Sequence, residues 1–197
     1  MRAALVLLLT ILIAGCGPTV APAAAVTPGP SQGPASATRI EPPPVTPPTP
    51  PGTNLPAFAC VDSGGGKTGV ANVVTARVVP QAGYDRFVLQ FDALVPTYTV
   101  KRQASPTFPS GASGQTITLS GTSGVLVQVH TATSAGTFTG QNDFTHAEYN
   151  VLKEARQTED FEGHVSWGLG LGKAACLRTF TLADPPRLVV DFSTTGS

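Results

Sequence analysis

The sequence predicts an all-β fold, a compact β-sandwich of about eight or nine short strands, and three observations carry that expectation. The first is residues 165–171, where Val165, Trp167, Leu169 and Leu171 alternate with Ser166, Gly168 and Gly170. Period two is the signature of a strand with one apolar face, and the nearly bare opposite face leaves room for another backbone, a sheet or a ligand to lie close against it. The second is residues 187–192, with Leu188, Val190 and Phe192 on one side and Val189 and Asp191 on the other. The third is a series of short β-branched or alternating segments upstream, punctuated by Gly, Pro, Ser and Asn.

In chain order, residues 70–79 are β-branched and read as a first strand, closed by a turn at Pro80-Gln-Ala-Gly83. Residues 84–92 form a second, with Phe87, Leu89 and Phe91 inward and Arg86, Val88 and Gln90 on the other face. Pro96 breaks it, and Tyr98, Val100 and Arg102 follow at spacing two in a short third strand. Residues 105–114, rich in Pro, Ser and Gly, read as a loop. Residues 116–119 and 125–131 read as strands, and residues 132–142 as a polar loop without hydrophobic period. Residues 144–156 fit the start of a helix or a strand. The strand, over 151–158, is the preferred reading because Gly163 then turns it back into 165–171 as a hairpin, and residues 177–182 read as the penultimate strand before 187–192.

The ends bound the cellular context. Arg2 and the apolar run from Ala3 to Ile13 are followed by Ile13-Ala-Gly-Cys16, which matches a bacterial lipobox. The run is shorter than the ~20 residues a membrane-spanning helix needs. Residues 1–15 are therefore expected to be a cleaved signal, with a diacylglycerol thioether on Cys16 anchoring the chain to a cell membrane or outer membrane on the extracytoplasmic side. Residues 16–57 read as a lipidated N-terminus and linker, since 13 of the 19 prolines lie between Pro18 and Pro56. Such a segment buries too little apolar surface to offset its ordering entropy, and at about 3.1 Å per residue it would reach at most roughly 120 Å. A PxxP match at Pro44 and Pro47 is a weak signal in an exported chain. Residues 58–197 remain, enough for one domain with its own core.

Twelve basic residues balance twelve acidic ones, and no basic run exists. Nucleic acid is therefore not an expected partner, and charge alone would not hold a strongly anionic polymer. With Cys16 taken by lipid, Cys60 and Cys176 are left as one disulfide or two unpaired thiols. A bridge over so long a loop contributes at most about 4–5 kcal/mol through chain entropy.

Gly83-Tyr-Asp-Arg-Phe-Val-Leu-Gln-Phe91, Phe161-Glu-Gly163, Trp167-Gly-Leu-Gly-Leu171 and Leu182-Ala-Asp-Pro-Pro-Arg-Leu-Val-Val-Asp191 together resemble the AMIN-like domain of bacterial lipoproteins. The resemblance covers most of residues 70–193 and implies a small two-sheet sandwich. AMIN domains proper direct wall amidases and secretin-type pore proteins to the envelope and bind peptidoglycan, so cell-wall binding without catalysis is the implied function, by fold-level analogy. No catalytic domain is expected after the module, a departure from the amidase arrangement.

Candidate sites each have a plainer alternative. Arg187 and Asp191 are four apart and share a face, and Arg86 and Tyr84 lie on another strand. An arginine there would clamp a stem-peptide carboxylate through two parallel hydrogen bonds, or the charges pair across the sheet and fix register. Trp167 reads as core rather than a sugar-stacking platform; Tyr84, Tyr98 and Tyr149 are the likelier exposed rings by position. Asp160 and Glu162, with Glu154 and Glu159, would be a glycosidase acid–base pair only if suitably spaced, and otherwise form a solvated hairpin end. His130, His146 and His164 lack zinc-type spacing and read as scattered, so no metal or cofactor is expected. No Gly-x-Ser-x-Gly elbow is present. Gly64-Gly-Gly-Lys-Thr68 fails the phosphate-loop pattern at Val61 and reads as a flexible lead-in. Two readings stand beside wall binding: an envelope protein-interaction subunit pairing through an exposed edge at 187–192, and a wall-polymer hydrolase using Asp160 and Glu162.

Overall fold

The computed structural model describes residues 54–196, so the signal, Cys16 and almost all of the proline-rich linker lie outside the described residues. Thirteen strands follow one another: β1 (Ser63–Gly65), β2 (Ala71–Gln81), β3 (Tyr84–Phe91), β4 (Tyr98–Gln103), β5 (Thr107–Ser110), β6 (Gln115–Thr118), β7 (Ser123–His130), β8 (Ala132–Thr133), β9 (Asp143–Thr145), β10 (Leu152–Phe161), β11 (His164–Leu171), β12 (Leu177–Ala183) and β13 (Pro186–Ser193). The nine expected strands are all present. The four extra ones, β1, β5, β8 and β9, have only two to four residues, too few to show an alternation. The supposed lead-in at Gly64 therefore pairs with β4, and the supposed loop at 105–114 is half of a β5–β6 hairpin. Among the described residues no helix is long and apolar enough to cross a membrane.

Two sheets face each other across one core. One runs β1-β4-β7-β11-β10-β9, the other β12-β13-β3-β2-β8. From the first sheet Val100, Val127, Val129, Val165, Trp167 and Leu169 point inward; from the second come Val73, Phe87, Leu89, Phe91, Leu188, Val190 and Phe192. The alternations in 84–91, 165–171 and 187–192 thus select the core as expected. Trp167 lies at its centre, fully buried, 5.3 Å from the Phe87 ring and 6.2 Å from both Phe138 and Phe144.

Of the ambiguous residues 144–156, those from Leu152 on are strand β10, and Asp85 captures the backbone where it begins. Asp85 is fully buried, and its Oδ2 accepts the amides of Val151 (2.6 Å) and Leu152 (2.9 Å). At the other end of β10, Glu162 and Gly163 both have positive φ (47° and 77°), the backbone of a two-residue hairpin whose twist matches its strands.

The bare face of β11 is covered by protein. The β5–β6 hairpin and residues 119–120 fold over it, forming a second cluster of Phe108, Leu119, Leu126 and Ile117. A Cβ on Gly168 would stand 2.6 Å from the Phe108 ring, and one on Gly170 would stand 2.2 Å from the Ser120 carbonyl. Of the three possible occupants of that face, another backbone is the one present.

Cys60 and Cys176 are disulfide-bonded, with their Cα atoms 4.2 Å apart. Beside the bridge, Ala59 and Leu177 exchange both backbone hydrogen bonds (2.8 and 3.0 Å), and Ser63 meets the Thr179 hydroxyl. The segment 187–192 is not an edge: β13 lies between β12 and β3 and pairs with both along its length. One edge of this sheet is β12; the other is β2, which β8 covers at Ala71 and Asn72 and the Thr139 amide covers at the Val74 carbonyl (2.8 Å), leaving it open beyond. Pro80, with no amide hydrogen to offer, sits near its end.

Candidate functional site

Alternation that sends Phe87, Leu89, Leu188 and Val190 into the core necessarily sends their neighbours to the outer face of the five-stranded sheet. Strand register then builds rows across β12, β13, β3 and β2. Arg178, Asp191, Arg86 and Val79 lie in one row, Phe180, Val189, Val88 and Arg77 in the next, and Leu182, Arg187, Gln90 and Thr75 in the third. Four arginines thus share a face with one carboxylate.

That carboxylate organises the first row. Arg86 grips Asp191 with Nε to Oδ1 at 2.7 Å and Nη2 to Oδ2 at 3.0 Å, and Arg178 Nε reaches Oδ2 at 2.8 Å. Asp191 is fully buried, whereas the Arg86 and Arg178 side chains retain 24% and 12% exposure. The hydrogen bond to Asp191 raises the Arg86 pKa above its ordinary value against the opposing effect of burial, so the guanidinium stays charged. Aromatic rings interleave with these cations. The Arg178 guanidinium lies 4.4 Å from the Phe58 ring centroid and 4.8 Å from that of Tyr84, and the Arg86 guanidinium lies 5.2 Å from Tyr84 and 5.4 Å from Phe180. Cation–π contact of this kind keeps partly desolvated guanidiniums in place.

Of the four residues expected to meet a ligand, the structure separates two functions. Asp191 and Arg86 pair across the sheet and set its register, the plainer of the two alternatives. Arg187 does not pair with Asp191: its Nε donates to the Pro185 carbonyl at 3.2 Å. Among the described residues neither Arg77 nor Arg187 has a salt-bridge partner. Both line a groove of about 220 Å³ with Gln81, Gln90, Thr75 and the outer side of Arg86. Tyr84 is half-buried among the arginines. A larger hollow of about 400 Å³ lies where the end of β4 and the start of β7 meet Leu171 and residues 174–175, but the only ionisable group lining it is Arg102, whose Nη1 donates to the Cys60 carbonyl at 2.6 Å.

Sequence reasoning passed over Arg77, Arg178, Phe58 and Phe180. Arg77 and Arg178 stand at period two within segments already read as strands, so the signal was available; Phe58 has none, because it precedes the first strand.

Other candidates fall elsewhere. Trp167 is in the core and offers no sugar platform. Tyr98, expected to expose its ring, is buried at 6% exposure, and burial raises its hydroxyl pKa. Asp160 and Glu162 are exposed at the β10–β11 hairpin end, the plainer of the two readings, while Glu159 is half-buried and Glu154 buried. Asp160 accepts from Thr133 Oγ1 (2.9 Å), Ser134 N (3.0 Å) and Ser134 Oγ (2.5 Å), Glu159 from Ser166 Oγ (2.9 Å), and Glu154 from Ser120 N and Oγ (2.8 and 2.9 Å). Glu162 is a hairpin-turn residue. Each bound acid fastens a neighbouring segment. Asp160→Ala is accordingly expected to lower the urea unfolding free energy by about 1–2 kcal/mol, the cost of leaving those donors without their acceptor. The histidines are not all scattered: His130 and His164 are adjacent, with Nδ1 atoms 3.0 Å apart, while His146 stacks on Tyr149 and bonds to Glu148.

Compared with known families, residues 71–194 match the AMIN-like domain, well over half of the chain and all of both sheets from β2 onward. The chain belongs to the AMIN-like domain family. No curated protein gives a significant match. Within the AMIN-like domain, the matched span takes in Arg77, Arg86, Arg178, Arg187 and Asp191, so the arginine face is part of the family module. Phe58 and Cys60, which brace one side of it, lie ahead of the matched residues.

Proposed function

We propose that this chain is a lipid-anchored, non-catalytic envelope protein whose AMIN-like domain binds cell-wall peptidoglycan through the outer face of the five-stranded sheet. The observation that carries the reading is the pair of guanidiniums without a carboxylate partner among the described residues, Arg77 and Arg187, flanking a groove lined by hydrogen-bonding Gln81, Gln90 and Thr75. Stem peptides present carboxylates, which a guanidinium fork recognises with two parallel hydrogen bonds, and amides, which Gln side chains match as donor and acceptor. The Asp191-centred row holds the remaining two arginines rigid, so the groove is preformed. The lipobox at Cys16 and the proline-rich spacer would hold such a domain off a membrane within reach of the wall.

Co-sedimentation of the detergent-purified full chain with purified sacculi tests this. Saturable pelleting is expected at low salt, weakening as salt screens the exposed pairs. Arg77→Ala/Arg187→Ala is expected to weaken it about tenfold, since two exposed pairs at somewhat under 1 kcal/mol each sum to about one decade. A chain that stays in the supernatant, or a double variant that pellets as well as the parent, overturns the reading.

A second reading is favoured by one observation. The open edge of β2 beyond Val74 offers unpaired backbone groups to an extended strand of a protein partner, an occupant at an edge of the sheet rather than at β13. It predicts capture of a purified envelope protein and no binding to bare sacculi.

A further inference from the structure

The paired histidines lie on the other sheet, away from the arginine face. His130 ends β7 and His164 begins β11, and the antiparallel register sets them directly opposite each other. Gln128 and Leu126 precede His130 at period two, and Ser166 and Gly168 follow His164, so both imidazoles project from the outer face of the six-stranded sheet, at the end that the β5–β6 hairpin does not cover. His130 is half-buried and His164 exposed. Their Nδ1 atoms approach to 3.0 Å with the rings perpendicular at 89°. Neither ring has a carboxylate salt-bridge partner among the described residues.

The backbone holding them is fixed on both sides. The His130 amide donates to the Thr97 carbonyl (2.9 Å), and the Ala132 amide to the Gly163 carbonyl (3.0 Å). Thr131 has φ 55°, a conformation β-branched residues rarely adopt, and its hydroxyl is held by the Gly69 carbonyl at 2.5 Å. Strain of this kind survives where the surroundings over-determine it, and here it lies next to one imidazole, facing the turn that carries the other.

From this geometry we infer a binding site for one divalent transition-metal ion, Cu²⁺ in preference to Zn²⁺, on His130 Nδ1 and His164 Nδ1. A metal bonded to two imidazole nitrogens at about 2.05 Å, with those nitrogens 3.0 Å apart, subtends roughly 94° between them. That is the cis angle of a tetragonal site and is narrower than the tetrahedral angle zinc adopts; tetragonal nitrogen and oxygen donors select Cu²⁺ or Ni²⁺, and Cu²⁺ heads the affinity order. In the metal-free pair one Nδ1 carries a proton and donates it to the other. Binding needs only that this proton move to Nε2 of the same ring. No third His, Cys, Asp or Glu joins the pair among the described residues. The other equatorial positions therefore fall to water, leaving an open, exchangeable ion rather than a structural one.

The test titrates Cu²⁺ into the purified full chain carrying Cys16→Ser, so that no free thiol competes. One ion per chain is expected, with an electron paramagnetic resonance spectrum showing hyperfine coupling to two imidazole nitrogens, and Zn²⁺ should bind at least tenfold more weakly. His130→Ala and His164→Ala should each weaken Cu²⁺ binding at least tenfold while leaving the circular dichroism spectrum unchanged; His164→Gln guards against a loss caused by removing side-chain bulk. His146→Ala should bind as the parent does. Equal Cu²⁺ affinity in the parent and His130→Ala/His164→Ala, single-nitrogen coupling, or no binding at micromolar Cu²⁺ overturns the proposal.

Discussion

Asp191→Ala is expected to destabilise the domain by about 3 kcal/mol, lowering Tm by about 10 °C in a domain of this size. Asp191 is fully buried and carries three charge-assisted hydrogen bonds from two guanidiniums. Deleting it leaves two cations in one row of the sheet with no anion between them. The low end of the range for broken buried pairs applies, because Arg86 keeps 24% exposure and can partly rehydrate. Asp191→Asn should fall between, since the amide keeps an acceptor but loses the charge. Replacing the triad together, as Asp191→Leu with Arg86→Met and Arg178→Met, should recover most of the loss, because apolar residues of similar volume need no desolvation of charge. Thermal and urea unfolding of the three variants decide the matter: a loss under about 1 kcal/mol for Asp191→Ala would show that the triad orders the face without stabilising the fold.

Gly170→Ala should cost about as much, by a different route. The added Cβ would stand 2.2 Å from the Ser120 carbonyl oxygen and 3.1 Å from the Leu119 side chain. Ser120 cannot step aside cheaply. Its amide and hydroxyl are both held by Glu154, Leu119 N donates to the Pro106 carbonyl at 2.9 Å, and Thr122 N donates to the Leu171 carbonyl at 2.8 Å. Moving backbone inside such a net costs about 1–3 kcal/mol or more, and the upper part of that range is expected here. The readouts are the urea midpoint and proteolysis within residues 105–120, which should accelerate as the β5–β6 hairpin lifts. Gly168→Ala is the comparison. There the obstruction is the Phe108 ring, so Gly168→Ala with Phe108→Leu should cost less than the two single changes added together. A Gly170→Ala protein as stable as the parent would mean that this clasp is loose.

What could be read from the sequence was whatever repeats over several residues. The long strands declared themselves through alternation, and with them the core face of Phe87, Trp167 and Phe192. The bare face of β11 announced that something would lie close, without saying that Phe108 and Ser120 would be the occupants, because that contact joins residues some fifty positions apart. β8 and β9 left no trace because two or three residues have no period. At the arginine face, the sequence placed Arg187 with Asp191 on one face of their strand and Arg86 with Tyr84 on another strand, without showing that the two strands join or which charges pair. Register decides pairing, and register comes from the three-strand order β12-β13-β3, which local pattern does not reveal. The same applies to His130 and His164, thirty-four residues apart and neighbours only because β7 and β11 are.

The disulfide has a mechanical consequence. Tension drawn along the chain from ahead of Phe58 toward the last strand does not pass through residues 61–175. It crosses from Cys60 to Cys176, 116 apart in sequence, through covalent bonds, so the residues between them form a slack loop outside the covalent force path. Strands β1 to β11, with the six-stranded sheet complete among them, would carry no tension along their own backbone while the bridge is intact. Only β12 and β13 remain in line, and their hydrogen bonds to β3 and to each other set the load at which the domain yields. In a reducing environment the same pull would instead begin at Ala59 and peel the lead-in from Leu177, then β1 from β4, one pair of backbone bonds at a time.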